Sequence, residues 1–113
     1  MKFDKALISG SNAMLVLSLL KDGDKYGYEM VQELKRRSDN VFALKEGTLY
    51  PLLHALEKAG EVQSYDKTAP TGRERRYYRL TEKGAGRLEE KVSQWRVFSD
   101  SVNTVLSFSP AAG

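Results

Sequence analysis

The sequence predicts a mainly α fold of the α+β class: a winged helix-turn-helix with a two-stranded wing and a long C-terminal dimerisation helix. Two observations carry this prediction. Three short apolar-periodic segments are followed by two alternating segments and then by one long helical segment. The 113 residues, 41% of them hydrophobic, are enough for one compact core. We expect residues 1–80 to form the winged helix-turn-helix and residues 81–113 the dimerisation helix with a short tail.

The first half of the chain contains three helical segments separated by polar breaks. The run from Leu7 to Leu20 is apolar on more than one face, which predicts a single buried helix. Asp24 is a suitable N-cap for a second helix, which should end near Arg37. The third helix is expected from Thr48 to Ala59, and Gly60 is its natural C-terminal stop.

The two alternating segments predict a β hairpin. They run from Glu61 to Asp66 and from Arg75 to Leu80, and Pro70 and Gly72 lie between them. Alternation also predicts that only one of two adjacent tyrosines at positions 77 and 78 faces inward. We interpret this hairpin as the wing.

The basic charge of the chain is concentrated at this hairpin. The whole chain has 18 Lys and Arg against 15 Asp and Glu, a net charge of only +3. The segment from Lys67 to Arg79 holds five basic residues and one acid, Glu74. A local basic strip is typical of phosphate contacts, although a solvated charged hairpin would have the same composition.

The C-terminal helix should begin after the N-cap Thr81 and run to about Ser107. Its large apolar residues recur at steps of three or four, close to a heptad seam. A three-helix core of this size cannot cover that stripe, so we expect the partner chain of a homodimer to cover it. The residues assigned to this dimer interface are Leu88, Val92, Trp95, Val102 and Val105.

The composition argues against several other classes of protein. The chain has no cysteine, which excludes a disulfide framework and thiolate metal sites. It lacks an apolar run of the length that a signal peptide or membrane span needs, so we expect a cytoplasmic protein without membrane contact. No catalytic triad, phosphate-binding glycine loop or metal-ligand cluster can be assembled, and His54 and Glu57 alone are too few to hold a metal. We therefore expect no enzyme activity, no cofactor and no metal.

Three segments taken together resemble the PadR family of bacterial transcriptional regulators. They are YGYEM at residues 26–30, EGTLYPLLHALEKAG at residues 46–60 and GRERRYYRLTEKG at residues 72–84. The single short C-terminal helix is similar to the compact branch that includes multidrug-sensing repressors. The resemblance implies a homodimeric repressor that binds a two-fold-symmetric double-stranded DNA operator and releases it when a small aromatic or drug-like effector binds. A winged-helix protein-interaction module that does not bind DNA is the alternative.

In a helix-turn-helix, the N-terminal residues of the second helix of the motif approach base edges. Thr48 is the best candidate for such a contact. Lys45 stands where relatives often carry a capping serine, so either Thr48 caps the helix or Lys45 contacts phosphate. Pro51 is tolerated in the first turn if Thr48 is the cap, whereas an earlier start would introduce strain. The expected DNA contacts, including those at the second helix and the wing, are Lys25, Tyr26, Lys45, Gly47, Thr48, Tyr50, Lys67, Arg73 and Arg75.

Tyr26 and Tyr50 have an alternative role as core aromatic residues, since tyrosine often buries its ring. The resemblance also implies an effector site, because in the drug-sensing relatives a tryptophan at the place of Trp95 forms a stacking platform between the subunits. The expected members of this effector site are Asn12, Leu15, Val16, Trp95 and Phe98. The alternative for Trp95 is an ordinary anchor of the dimer interface.

Overall fold

The structure is a computed structural model that describes residues 3–110. Its elements have the order expected for a winged helix-turn-helix, which confirms the predicted fold class. Along these residues they are α1 (Lys5–Ser9), α2 (Asn12–Leu20), β1 (Lys25–Tyr26), α3 (Gly27–Arg37), α4 (Glu46–Lys58), β2 (Val62–Thr68), β3 (Glu74–Leu80) and α5 (Glu82–Leu106). The three strands form one antiparallel sheet in the order β1-β3-β2. Within residues 3–110, none of the helices combines the length and the apolarity needed to cross a membrane.

The first helical segment is divided in two, so the prediction of one helix from Leu7 to Leu20 is wrong. α1 ends at Ser9, and the hydroxyl of Ser11 donates to the carbonyl of Ile8 at 3.0 Å. A serine that bonds the preceding turn competes with helix continuation. α2 then supplies the floor of the core, as expected for this segment.

α3 begins later than Asp24, which does not cap it. Lys25 and Tyr26 instead pair with Tyr78 and Tyr77 of β3 and form the short strand β1. The backbone N–H of Tyr26 donates to the carboxylate of Glu29 at 3.1 Å, which satisfies a donor at the start of the helix. The sheet therefore has a third strand in addition to the predicted two-stranded wing. The expected end of the helix near residue 37 is confirmed.

α4 starts two residues before the expected position. Its N-cap is Lys45, whose carbonyl accepts from the N–H groups of Thr48 at 3.0 Å and Leu49 at 2.9 Å. Pro51 is consequently the sixth residue of α4, and the carbonyl of Gly47 lacks the N–H that a non-proline residue would offer there. Gly60, with φ of +79°, follows the C-cap and confirms the predicted stop.

The core lies between α2, α3, α4 and the inner face of the sheet, and the first turns of α5 close it. Met30, Leu49 and Leu53 are fully buried there, with Tyr78 of β3 above them. Thr81 caps α5 as predicted, because its Oγ1 accepts from the N–H of Gly84 at 3.0 Å. The same hydroxyl donates to the carbonyl of Gly60 at 2.6 Å. One side chain thus connects the end of α4 to the start of α5.

Candidate nucleic-acid interface

The hairpin has two chemically different faces, which follow from its register. Gln63, Tyr65 and Lys67 of β2 lie directly opposite Arg79, Tyr77 and Arg75 of β3. Side chains on directly paired positions share a face, so these six residues, together with Tyr26 of β1, form one surface that we call the tyrosine face. The other face carries Val62, Tyr78 and Leu80 and packs on the core.

The charges of the hairpin are separated between these faces. Both acids of the hairpin, Asp66 and Glu74, lie on the core face by register, and Asp66 pairs with Arg76 there at 3.6 Å. The hairpin strands place three cations and no acid on the tyrosine face. The single acid in the basic strip, Glu74, therefore does not lie among the cations of this surface.

Three tyrosines form a row across the three strands on the tyrosine face. The rings of Tyr26 and Tyr77 meet edge-on with centroids 5.3 Å apart, and those of Tyr65 and Tyr77 stack at 5.8 Å. Tyr77 is only 4% exposed although it points away from the core, and this burial raises the pKa of its hydroxyl. Tyr78 faces the core, so the prediction that only one of the two adjacent tyrosines points inward is confirmed.

Two cations lie next to this row. Lys67 Nζ is 5.0 Å from the centre of the Tyr77 ring, and Arg75 Cζ is 5.5 Å from that of Tyr26. Lys67 and Arg75 are directly paired across β2 and β3, where like charges repel. The ring faces offset part of that repulsion. A surface with two adjacent cations and no acid from its own strands is suited to an anion such as phosphate. Arg73 is exposed in the turn beyond them.

The start of α4 presents a second exposed surface. Lys45, Gly47 and Thr48 are all exposed, and the space beside Gly47 is open, since a Cβ there would meet no atom within 4 Å. Tyr50 is partly exposed, and its hydroxyl rests against Gly27, where an added Cβ would be 2.5 Å from it. Because Gly27 directly follows Tyr26, Tyr50 brings the starts of α3 and α4 together.

Lys25 is directed away from this surface, which corrects its assignment as a DNA contact. It pairs with Tyr78 and therefore shares the core face, opposite to Tyr26. Its ammonium donates to the carbonyl of Leu19 at 2.7 Å and to that of Gly23 at 3.3 Å, and it pairs with Asp22 at 3.4 Å. The side chain is 16% exposed, so this ammonium stabilises the turn between α2 and β1.

The pair His54 and Glu57 has a structural explanation. The Glu57 carboxylate accepts from the hydroxyl of Ser64 at 2.6 Å and from its N–H at 3.0 Å. These two bonds hold the pKa of Glu57 below its usual value. Glu57 thus attaches α4 to β2, and the part of the chain from residue 3 to 110 contains no group of three or more His, Asp or Glu that could hold a metal ion.

Trp95 and Phe98 line a groove of about 470 Å³ between α1, the start of α2 and α5. Their ring centroids are 6.5 Å apart. The opposite wall contains Leu7 and Met14, because the break between α1 and α2 turns other residues toward α5 than a continuous helix would. Of the expected effector residues, Trp95 and Phe98 line this groove, whereas Val16 is fully buried in the core and the half-buried Asn12 and Leu15 do not line it.

The apolar stripe of α5 divides into a covered and an uncovered part. Leu88 is 5% exposed and belongs to the core of its own chain, and Val92 packs against that core, so the assignment of Leu88 to a partner interface is corrected. Farther along, Trp95 is 46% and Val105 is 74% exposed, with Val102 between them also exposed. Leu7, Leu106 and Phe108 are also exposed apolar residues, and they lie outside the predicted heptad seam.

A three-helix core, a wing with a cationic outer face and an exposed second helix of the motif define a winged helix-turn-helix protein of the transcription-regulator class. The model of the transcriptional regulator PadR-like family matches residues 16–90. The chain belongs to the PadR-like family of transcriptional regulators, as its three sequence segments indicated. Membership in this family implies that the chain acts in the DNA-binding regulation of transcription.

Individual relatives agree with this membership. A protein of Lysinibacillus sphaericus is 38% identical over 89 residues, which cover 79% of this chain and 82% of that protein. A transcriptional regulator of Clostridium thermocellum has a solved structure with a TM-score of 0.81 and 34% identity, covering 88% of this chain and 97% of its own. A PadR-like transcriptional regulator of Bacillus cereus has a TM-score of 0.82 and 28% identity, with 93% and 100% covered.

Proposed function

We propose that this PadR-family regulator is a homodimeric repressor that binds a two-fold-symmetric DNA operator through the start of α4 and the tyrosine face. The observation that carries the proposal is the row formed by Tyr26, Tyr77 and Tyr65, with Lys67 and Arg75 held beside it. Two cations fixed on ring faces are preorganised for phosphate, so little conformational freedom is lost when they bind. These contacts position the protein on the duplex without reading its sequence.

The residues that recognise the DNA sequence lie at the start of α4. Thr48 and Lys45 are exposed there, and Gly47 permits close approach of the backbone to the groove floor. Tyr26 and Tyr50 would offer hydroxyl groups to phosphates near this helix start. Each good base contact contributes about 1–3 kcal/mol, so a single half-site gives modest specificity. A dimer would read two half-sites about one helical turn apart, which supplies the rest.

The proposed repressor binds the duplex immediately upstream of its own gene. Fluorescence anisotropy at about 50 and 200 mM salt should show tight, salt-sensitive binding that exceeds binding to a scrambled duplex. Lys67→Ala and Arg75→Ala should each weaken binding to both duplexes and reduce the salt slope by about one. Arg87→Ala is the control for lost charge, because Arg87 lies on α5 and pairs with Glu90 at 2.8 Å.

The outcomes of this experiment separate the two classes of function. Equal, weak binding to both duplexes would contradict control of its own gene and would require a search for other operators. No binding to any duplex would favour the winged-helix protein-interaction module instead. If Lys67→Ala and Arg75→Ala bind with the wild-type salt slope, the tyrosine face is not the phosphate-binding surface.

The groove beside Trp95 supports a ligand-responsive repressor. Its volume suits a small molecule, and its walls offer the rings of Trp95 and Phe98 for stacking. Since Trp95 is the only tryptophan, planar tricyclic aromatic compounds bound there should quench the fluorescence of the protein. Phe98→Ala should weaken the ligand affinity measured by this quenching about tenfold. Val97→Ala should leave that affinity unchanged, because Val97 is an equally exposed residue outside the groove. Equal quenching in both variants would place the ligand elsewhere.

A further inference from the structure

The turn before β1 is joined to the wing by one long-range hydrogen bond. The hydroxyl of Tyr65 donates to the carboxylate of Asp24 at 2.5 Å, although the two residues are 41 positions apart. This bond, followed by burial, raises the pKa of the Tyr65 hydroxyl. Asp24 does not cap α3, so the bond to Tyr65 is the contact that its carboxylate makes with the wing.

The bond completes a closed set of contacts over the tyrosine face. Tyr26 contacts Tyr77, Tyr77 stacks on Tyr65, and Tyr65 returns to Asp24, two residues before Tyr26. The contacts span all three strands, since β3 lies between β1 and β2. They explain why Tyr77 is almost fully buried on a face that does not belong to the core.

On the tyrosine face, the next directly paired residues toward the wing tip are Lys67 and Arg75. Their cationic groups lie over the rings of Tyr77 and Tyr26, so a change in the tyrosine row would move both. Mutual repulsion of the two cations would otherwise spread them apart.

We propose that Asp24 and Tyr65 are positioning residues of the operator interface: their hydrogen bond locks the wing against the start of α3 and thereby holds Lys67 and Arg75 in place for phosphate. The proposal rests on the proposed function. Without the hydrogen bond between Tyr65 and Asp24, the cations remain, but the wing must be ordered when DNA binds. The free-energy cost of that ordering weakens binding.

Four single variants separate the bond from other effects. Tyr65→Phe removes the hydroxyl and keeps the ring, Asp24→Ala removes the acceptor and its charge, and Asp24→Asn keeps an oxygen acceptor without the charge. Tyr28→Phe is the matched control, because Tyr28 is an exposed tyrosine on α3 outside the row. We expect Tyr65→Phe and Asp24→Ala to bind the operator five- to tenfold more weakly, with an unchanged midpoint of thermal unfolding. Asp24→Asn should bind within twofold of wild type.

A second measurement connects the lock to the cations. In the Arg75→Ala background, Tyr65→Phe should reduce the operator affinity less than twofold, since the cation that Tyr65 positions is missing. Hydrogen exchange of the free protein should be faster at the amides of β2 and β3 in Tyr65→Phe and unchanged in Tyr28→Phe. Wild-type affinity of Tyr65→Phe, or a full loss on top of Arg75→Ala, would overturn the proposal. Failure of the wild-type protein to bind any duplex would instead overturn the proposed function, while hydrogen exchange would still report the lock.

Discussion

Replacement of Gly84 by alanine is expected to destabilise the protein by about 3 kcal/mol. A Cβ at this position would overlap the carbonyl oxygen of Glu61 and lie 2.8 Å from Leu80 Cδ1. The carbonyl cannot easily withdraw, because it also accepts from the N–H of Thr81 at 3.1 Å. The free-energy cost of this overlap therefore exceeds the stabilisation of about 1 kcal/mol that the higher helix propensity of alanine provides over glycine.

Gly86 is the matched control for this prediction. It lies in the same helix, two residues later, and a Cβ there would meet nothing within 4 Å. Gly86→Ala should therefore stabilise the protein by up to about 1 kcal/mol. Urea unfolding of the two variants should give midpoints on opposite sides of the wild-type value. Equal midpoints would show that the junction between α4 and α5 is not closely packed at Gly84.

The sequence predicted the order of elements because each long element has an apolar period of its own. α4, β2, β3 and α5 lie close to their expected positions for this reason. β1 has only two residues, which cannot show a period, and it exists because β3 lies beside it. As a consequence, the N-cap of α3 is Tyr26 and not the expected Asp24. A strand that depends on a partner about 50 residues away is a tertiary effect that local pattern does not contain.

The candidate site was predictable in its chemistry and less so in its arrangement. The basic strip and Tyr26 were found from composition and motif, but the register decides which charges share a face. It directs Lys25 and Glu74 to the core face and brings Lys67 and Arg75 to the tyrosine face. The alternation of side chains along β2 and β3 contains this information, since the side chains of residues 63, 65 and 67 must lie on the opposite face of the sheet from those of residues 62, 64 and 66.

The apolar stripe of α5 shows a second limit. A heptad spacing states that a stripe is covered but not which chain covers it. Leu88 and Val92 are covered by α2 of the same chain, whereas Trp95, Val102 and Val105 are not. The break between α1 and α2 determines where this change occurs, and a Gly-Ser dipeptide inside an apolar run was its only sequence signal.

The uncovered half of the stripe should form the interface of the proposed dimer. Val102→Asp combined with Val105→Asp should convert a dimer into a monomer, because both side chains are exposed on the stripe that continues from Trp95. A buried unpaired carboxylate at an apolar interface costs several kcal/mol. Light scattering coupled to size-exclusion chromatography should show the change in mass, while circular dichroism should show an unchanged helix content.

Monomerisation should reduce operator affinity about 100-fold or more. In a dimer, binding of the second DNA-binding domain to its half-site is intramolecular, which raises the overall affinity by this factor. A monomer lacks that increase in affinity. Ser93→Asp is the control: Ser93 is exposed on the same helix, but it is rotated by at least about 120° around the helix axis from Trp95, Val102 and Val105. It should remain dimeric and bind the operator normally. A doubly substituted protein that stays dimeric would place the interface elsewhere, and a monomer with wild-type affinity would show that one half-site is sufficient.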